Sequence, residues 1–156
     1  MAFVNIVSDK KYKSAPPKVG DKSPMILKRR ITGAQLLAYG TGADPSVNCF
    51  AIAQLRKGQL VREVKTIVVV ADGAVITLDI GYYQGTTSVP TAFETDAALD
   101  SKGVTISADD SLVMFNDSFL TITPSAAVDS TTILIIEATI EDYGNELRDD
   151  VMTAVL

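Results

Sequence analysis

The pattern of apolar and polar residues centres on residues 61–83, V-R-E-V-K-T-I-V-V-V-A-D-G-A-V-I-T-L-D-I-G-Y-Y, whose second segment alternates cleanly. Ala74, Ile76, Leu78, Ile80 and Tyr82 fall on one side of a strand, and Thr77, Asp79 and Gly81 on the other, with Val75 the single breach. Side chains on a strand alternate between faces, so this pattern sets one row on a core and one toward water. Ile67, Val68, Val69 and Val70 form an unbroken β-branched run. Such a run suits a strand covered on both faces, or one whose outer face meets another subunit. Asp72-Gly73, a dipeptide favoured in tight reversals, predicts a hairpin joining the two segments.

Further strands are predicted over 31–39, 47–55 and 104–107, with a turn at Arg56-Lys57-Gly58 leading into the central hairpin. Residues 84–92 read as a polar loop, and 112–115 with 119–123 as a second hairpin across Asn116-Asp117. Thr95 offers an N-cap for a short helical turn, D-A-A-L-D-S-K, closed by Gly103. The last strand, 131–140, carries Leu134, Ile136, Ala138 and Ile140 on one face; on the other, Ile133 and Ile135 give way to Glu137 and Thr139. Short strands at this spacing predict an all-β fold: an antiparallel β-sandwich, jelly-roll-like, with an extended N-terminal arm and one short helical turn.

The two ends differ from the middle. After Phe3, Val4, Ile6 and Val7 comes K-K-Y-K-S-A-P-P-K-V-G-D-K-S-P, whose prolines cannot donate to a sheet ladder. Residues 1–30 therefore read as an extended arm, 31–140 as the sandwich, and 141–156 as an acidic tail that ends apolar. Charge sharpens the division. The arm holds eight basic and two acidic groups, net +6, whereas the remainder holds six and seventeen, net −11. The arm is either a solvated terminus or a tether that orders on a neighbouring subunit or an acidic partner, with Phe3, Val4, Ile6, Val7, Lys10, Lys11 and Lys13 as its contacts. The tail, ending in Val151, Met152, Val155 and Leu156, either folds back or covers a neighbouring subunit. An acidic body repels phosphate, which argues against nucleic acid as the partner.

At 156 residues the chain suits one domain. No apolar run approaches the ~18–20 residues a bilayer requires, and the short apolar start does not fit a signal peptide, so the expectation is a protein made in the cytoplasm. The 156 residues include no histidine, which removes the commonest general base, metal ligand and nucleophile partner. The single cysteine, Cys49, reads as a small buried thiol in V-N-C-F-A-I-A. G-T-G-A-D-P-S places Pro45 where a dinucleotide fingerprint needs glycine, and reads as a turn. Asp109-Asp110 and Asp149-Asp150 lack the spacing of a calcium loop. The expectation is a protein without catalytic, cofactor or metal site.

The order F-A-I-A-Q-L-R-K-G-Q-L-V-R-E-V, a valine-rich strand, A-V-I-T-L-D-I-G, then T-D-A-A-L-D-S-K-G and T-T-I-L-I-I-E-A-T-I, resembles small virion proteins of tailed bacteriophages. These are of the head-decoration, or cement, type, with head-fibre relatives, and the resemblance covers residues 48–140. It implies a jelly-roll-like sandwich, often a homotrimer, on the virion head surface, clamping neighbouring subunits of the major capsid protein. An alternative expectation is a tail or fibre-base structural protein, or one used for host attachment. The absence of tryptophan and the low aromatic content argue against sugar stacking in that role.

Overall fold

Ten strands and one short helix make up residues 2–5, 24–39, 48–107 and 112–142, which the computed structural model of the chain describes. The alternation along β10 (Ile133–Asp142) is kept: Leu134, Ile136, Ala138 and Ile140 are buried, and Ile133, Ile135, Glu137 and Thr139 face outward. β10 lies antiparallel between β2 (Met25–Thr32) and β4 (Gln59–Val70). The other edge of β4 pairs with β7 (Gly103–Ile106) and then with the two-residue β8 (Leu112–Val113). β2 therefore starts within the basic N-terminal stretch, at Met25.

The second sheet runs β1-β3-β9-β5-β6. Its members are β1 (Ala2–Asn5), β3 (Asn48–Leu55), β9 (Ser118–Pro124), β5 (Thr77–Gln84) and β6 (Thr87–Ala98). β1 is parallel to β3; the other pairings in this sheet are antiparallel. Ile31, Val64, Val68, Leu134 and Ile136 of one sheet share a core with Phe50, Leu55, Leu78, Ile80, Leu120 and Ile122 of the other. Counted from β2, with β7 and β8 as two pieces of one strand, the first sheet reads first, eighth, third, sixth. The second reads second, seventh, fourth, fifth. That order is a jelly roll, with β1 added at the outer edge of β3.

The topology corrects three local expectations. Asp72-Gly73 closes no hairpin, because β4 and β5 lie in different sheets and the dipeptide carries the chain across the sandwich. Asn116-Asp117 likewise leads from β8 in one sheet to β9 in the other. The tight hairpin joins β5 to β6 in the stretch read as a loop: Gln84 faces Thr87, which leaves only Gly85-Thr86 as the turn, and Gly85 has φ +60°.

The helix also lies elsewhere than expected. α1 (Gly33–Tyr39) replaces all but the first two residues of the strand predicted over 31–39. Thr32 Oγ1 accepts from the Gln35 amide at 3.2 Å, and Gln35 Oε1 accepts from the Thr32 amide at 3.0 Å, a reciprocal capping box. The predicted helical turn after Thr95 is instead the end of β6. Asp96 there has φ 58°, its amide donates to Asp79 Oδ1 at 2.9 Å, and its own Oδ1 accepts from Thr77 Oγ1 at 3.2 Å. A left-handed aspartate in a shifted register is a bulge, and its polar contacts with β5 hold it in the sheet.

Candidate assembly surfaces

The second sheet curls over its own outer face. Alternation aims Cys49, Ala51, Thr121 and Thr123 away from the sandwich core, yet all four are buried. Ser88 Oγ on β6 reaches Cys49 Sγ on β3 at 4.0 Å, although β9 and β5 separate those strands in the sheet. Between Glu94 and Val89 the register of β6 slips, and its backbone passes directly over Gly81. A Cβ at Gly81 would fall 1.9 Å from the Val89 carbonyl oxygen, so only glycine admits this curl.

β1 docks into the curl. Its backbone sets Ala2, Phe3, Val4 and Asn5 beside Asn48, Cys49, Phe50 and Ala51. The Phe3 ring stacks on Tyr83, with centroids 4.1 Å apart, and tilts against Phe119 at 5.4 Å. Of the expected contact residues, Phe3 and Val4 thus lie on an edge strand of the chain's own sheet. Ile6, Val7, Lys10, Lys11, Lys13, Val155 and Leu156 lie outside the described residues, as do both acidic pairs. Sequence reasoning missed Tyr83 and Phe119. The signal was there: Phe119 alternates with Thr121 and Thr123, and Tyr83 falls opposite the row ending at Tyr82.

A four-residue strand at a sheet edge is fixed mainly by its anchor ring. Aromatic pairs contribute about 0.5–1.5 kcal/mol beyond the area they bury. Phe3→Ala should therefore leave global stability within about 1 kcal/mol of the parent while β1 lifts away. Hydrogen exchange is the measurement, with protection lost in residues 2–5 and along the freed edge of β3. Unchanged exchange would mean that backbone pairing alone holds the strand.

The outer face of the β2-β10-β4-β7 sheet carries ion pairs, two of them between strands and one along β4. Lys28 Nζ lies 2.6 Å from Glu137 Oε1, Arg62 Nε 2.6 Å from Glu141 Oε1, and Lys65 Nζ 3.2 Å from Glu63 Oε1. Exposed pairs of this kind contribute only about 0.2–1 kcal/mol each, so they set the face's character more than its stability. Toward the start of β10 the same face is apolar, with Ile67, Ile133 and Ile135 half-buried and Val69, Val104 and Ile106 exposed.

One carboxylate ties the crossovers together at the end of the sandwich. Asp72 is buried; its Oδ1 accepts from the Ala74 amide at 3.0 Å, and its Oδ2 from the Asp129 amide at 2.8 Å and Thr132 Oγ1 at 2.9 Å. Asp129 Oδ2 returns the contact by accepting from the Gly73 amide at 3.1 Å. Burial alone would raise the Asp72 pKa, but hydrogen bonds from the Ala74 and Asp129 amides and the Thr132 hydroxyl, with the Gly73 amide close by, outweigh it and hold the pKa below 3.8. This arrangement positions backbone; it presents no open, reactive oxygen.

Among the described residues, no group of three or more Cys, Asp or Glu side chains could hold a metal ion, and no helix is long and apolar enough to cross a membrane. What the geometry presents is surface: a curled sheet with an edge strand docked in it, and a second sheet face half ion-paired and half apolar.

No family model matches the chain, and no curated protein matches it. Solved structures do. The chain is similar to one in the capsid of Ralstonia phage GP4, with TM-score 0.60 and 12% identity over 90% of this chain and 98% of that one. It is also similar to a chain of the cyanophage Pam1 capsid asymmetric unit, with TM-score 0.57 and 15% identity over 84% and 93%. A third lies in the acidic stable capsid structure of Helicobacter pylori bacteriophage KHP30, with TM-score 0.56 and 14% identity over 78% and 89%. At such identities the shared property is the fold.

Proposed function

We propose that this protein is a structural component of a bacteriophage capsid, a non-enzymatic decoration or cement protein that clamps neighbouring major capsid subunits at the head surface as a homotrimer. The observation that carries the reading is coverage: the match takes in between 89% and 98% of each of the three capsid chains. The likeness is therefore to whole chains of that size, and not to one module of a larger protein. A fold alone does not assign a role, so the chemistry has to agree. It does: the sequence holds no histidine, its one cysteine is buried, and its buried carboxylate Asp72 is spent on two backbone amides and the Thr132 hydroxyl. Residues 1–30 carry net +6 against −11 for the remainder, and many copies on a lattice multiply a weak contact between such opposite charges through effective concentration.

A clamp binds the assembled shell better than its separate parts, and so stabilises the shell by mass action, by about 2.7 kcal/mol per site at a hundredfold excess over Kd. Adding the protein to undecorated shells should raise their melting temperature, measured by calorimetry. Shells that melt identically with and without it would overturn the clamp. Deleting residues 1–22 should weaken co-sedimentation with shells; undiminished binding would remove Phe3, Val4, Ile6, Val7, Lys10, Lys11 and Lys13 from the contact. A monomer by light scattering at working concentration would overturn the trimer.

A further inference from the structure

The apolar part of the β2-β10-β4-β7 face is continuous. The pairing sets Ile135, Ile67 and Val104 in one row, with Ile133 one row to one side, Ile106 one row to the other, level with Lys65 and Glu137, and Val69 standing out at the β4 bulge. Val104 is 59% exposed, Ile106 53% and Val69 41%. A contiguous apolar patch marks a surface meant to be covered. We propose that the C-terminal segment of the same chain, residues 147–156, folds back across this face and covers it.

Three observations name that segment as the occupant. The first is its origin. β10 runs down the middle of the face and ends at Asp142 on the ion-paired side, and residues 143–156 follow directly from there.

The second is reach. From Asp142 back to the row of Ile135 is seven residues of strand, about 23 Å, and β7 lies two strand spacings to the side, about 10 Å. The chain from 143 to 155 spans at most about 43 Å when extended, so a reversal near Gly144 leaves slack to bring Val151, Met152, Val155 and Leu156 onto the patch.

The third is the order of charge. A chain returning along β10 meets the band of Lys28, Glu137 and Lys65 before it meets the apolar rows. The segment has the same order: Glu146, Arg148, Asp149 and Asp150 precede its apolar end. Asp149 and Asp150 come level with Lys28 and Lys65, two cations already paired with Glu137 and Glu63, in a charged band that accepts them where the apolar rows would not. The N-terminal stretch is a poorer occupant, because its strand β1 is seated in the other sheet and its lysines would face that same pair of cations.

The test is a disulfide pair in the isolated full-length protein, with no shell present, so its outcome is independent of the capsid role. Val155→Cys is combined with Val104→Cys, and oxidation is followed by non-reducing electrophoresis and peptide mass mapping. Cys49 is only 1% exposed and does not compete. The expected result is a 104–155 cross-link within one chain in most of the protein, and none when Val155→Cys is paired instead with Val75→Cys on the β4–β5 connection. Dimers linked 104–155 would overturn the proposal in favour of a second copy's tail, and an equal yield with Val75→Cys would overturn it as random collision. A second measurement uses a chain ending at Asp142. It should bind an apolar dye several-fold more strongly than the full chain, and equal dye binding by the two would mean that the patch was never covered.

Discussion

Asp72→Ala should destabilise the fold by about 3–5 kcal/mol, among the largest effects open to a single polar substitution here. The carboxylate is buried and serves three donors: the Ala74 and Asp129 amides and the Thr132 hydroxyl. Each donor left buried without a partner costs about 1–3 kcal/mol, and some regain water, which brings the total to that range. Asp72→Asn keeps the shape but turns a carboxamide NH2 donor toward at least one backbone N–H, and should cost about 1–3 kcal/mol. Urea melts of the three proteins measure this directly. Equal stability of all three would mean that the crossover is held by packing alone.

The pH dependence has a definite sign. The folded pKa of Asp72 lies below its ordinary value of 3.8, so the ionised group stabilises the fold fully above that value. The contribution fades as pH falls from about 3.8 through the folded pKa, where the folded state also takes up the proton. The gap between the parent and Asp72→Asn should therefore be constant near neutrality and narrow in acid. Taking the difference cancels most other carboxylates, although Asp129 is close enough to couple. A gap unchanged from about pH 7 to about pH 2.5 would sink the electrostatic account.

Strand alternation was legible in the sequence because burial is a property of faces. Leu134, Ile136, Ala138 and Ile140 announced the inner row of β10, and Leu78 and Ile80 that of β5. Pairing was not legible in the same way. Asp72-Gly73 has the chemistry of a reversal, but in a jelly roll the partner of β4 is β10, more than sixty residues away, and no local signal points there. The helix was written more plainly than it was read. Thr32-Gly33-Ala34-Gln35 is a capping sequence, and the apolar Ile31, Leu36 and Leu37 around it also fit a strand. The candidate surfaces were half visible: Phe3 was expected to anchor the arm, but its seat between Tyr83 and Phe119 depends on a curl set by Gly81, which periodicity cannot express.

Gly33→Ala separates local propensity from tertiary geometry. Gly33 opens α1, and alanine is preferred over glycine inside helices by about 1 kcal/mol, so propensity alone expects stabilisation. The surroundings forbid it. A Cβ at Gly33 would stand 1.7 Å from the Asp129 carbonyl oxygen and 2.7 Å from its carbonyl carbon, which are backbone atoms with no rotamer to change. Neither side can yield cheaply. The Gly33 amide donates to Thr132 O at 2.9 Å, the Thr132 amide to Asp129 O at 3.0 Å, and the Asp129 amide to Asp72 at 2.8 Å. Overpacking of a well-ordered site costs about 1–3 kcal/mol, and this one, against pinned backbone, should cost at least about 3 kcal/mol. Because Gly33 and Asp72 act on the same residue, their effects should not add. Asp72→Asn frees the 129–130 backbone to shift, so the double variant should be more stable than the sum of the two losses predicts, by at least about 1 kcal/mol. Four urea melts close the cycle. Additivity within about 0.5 kcal/mol would show that Asp129 does not link the helix to the crossover, and a stabilised Gly33→Ala would show that the close approach itself is wrong.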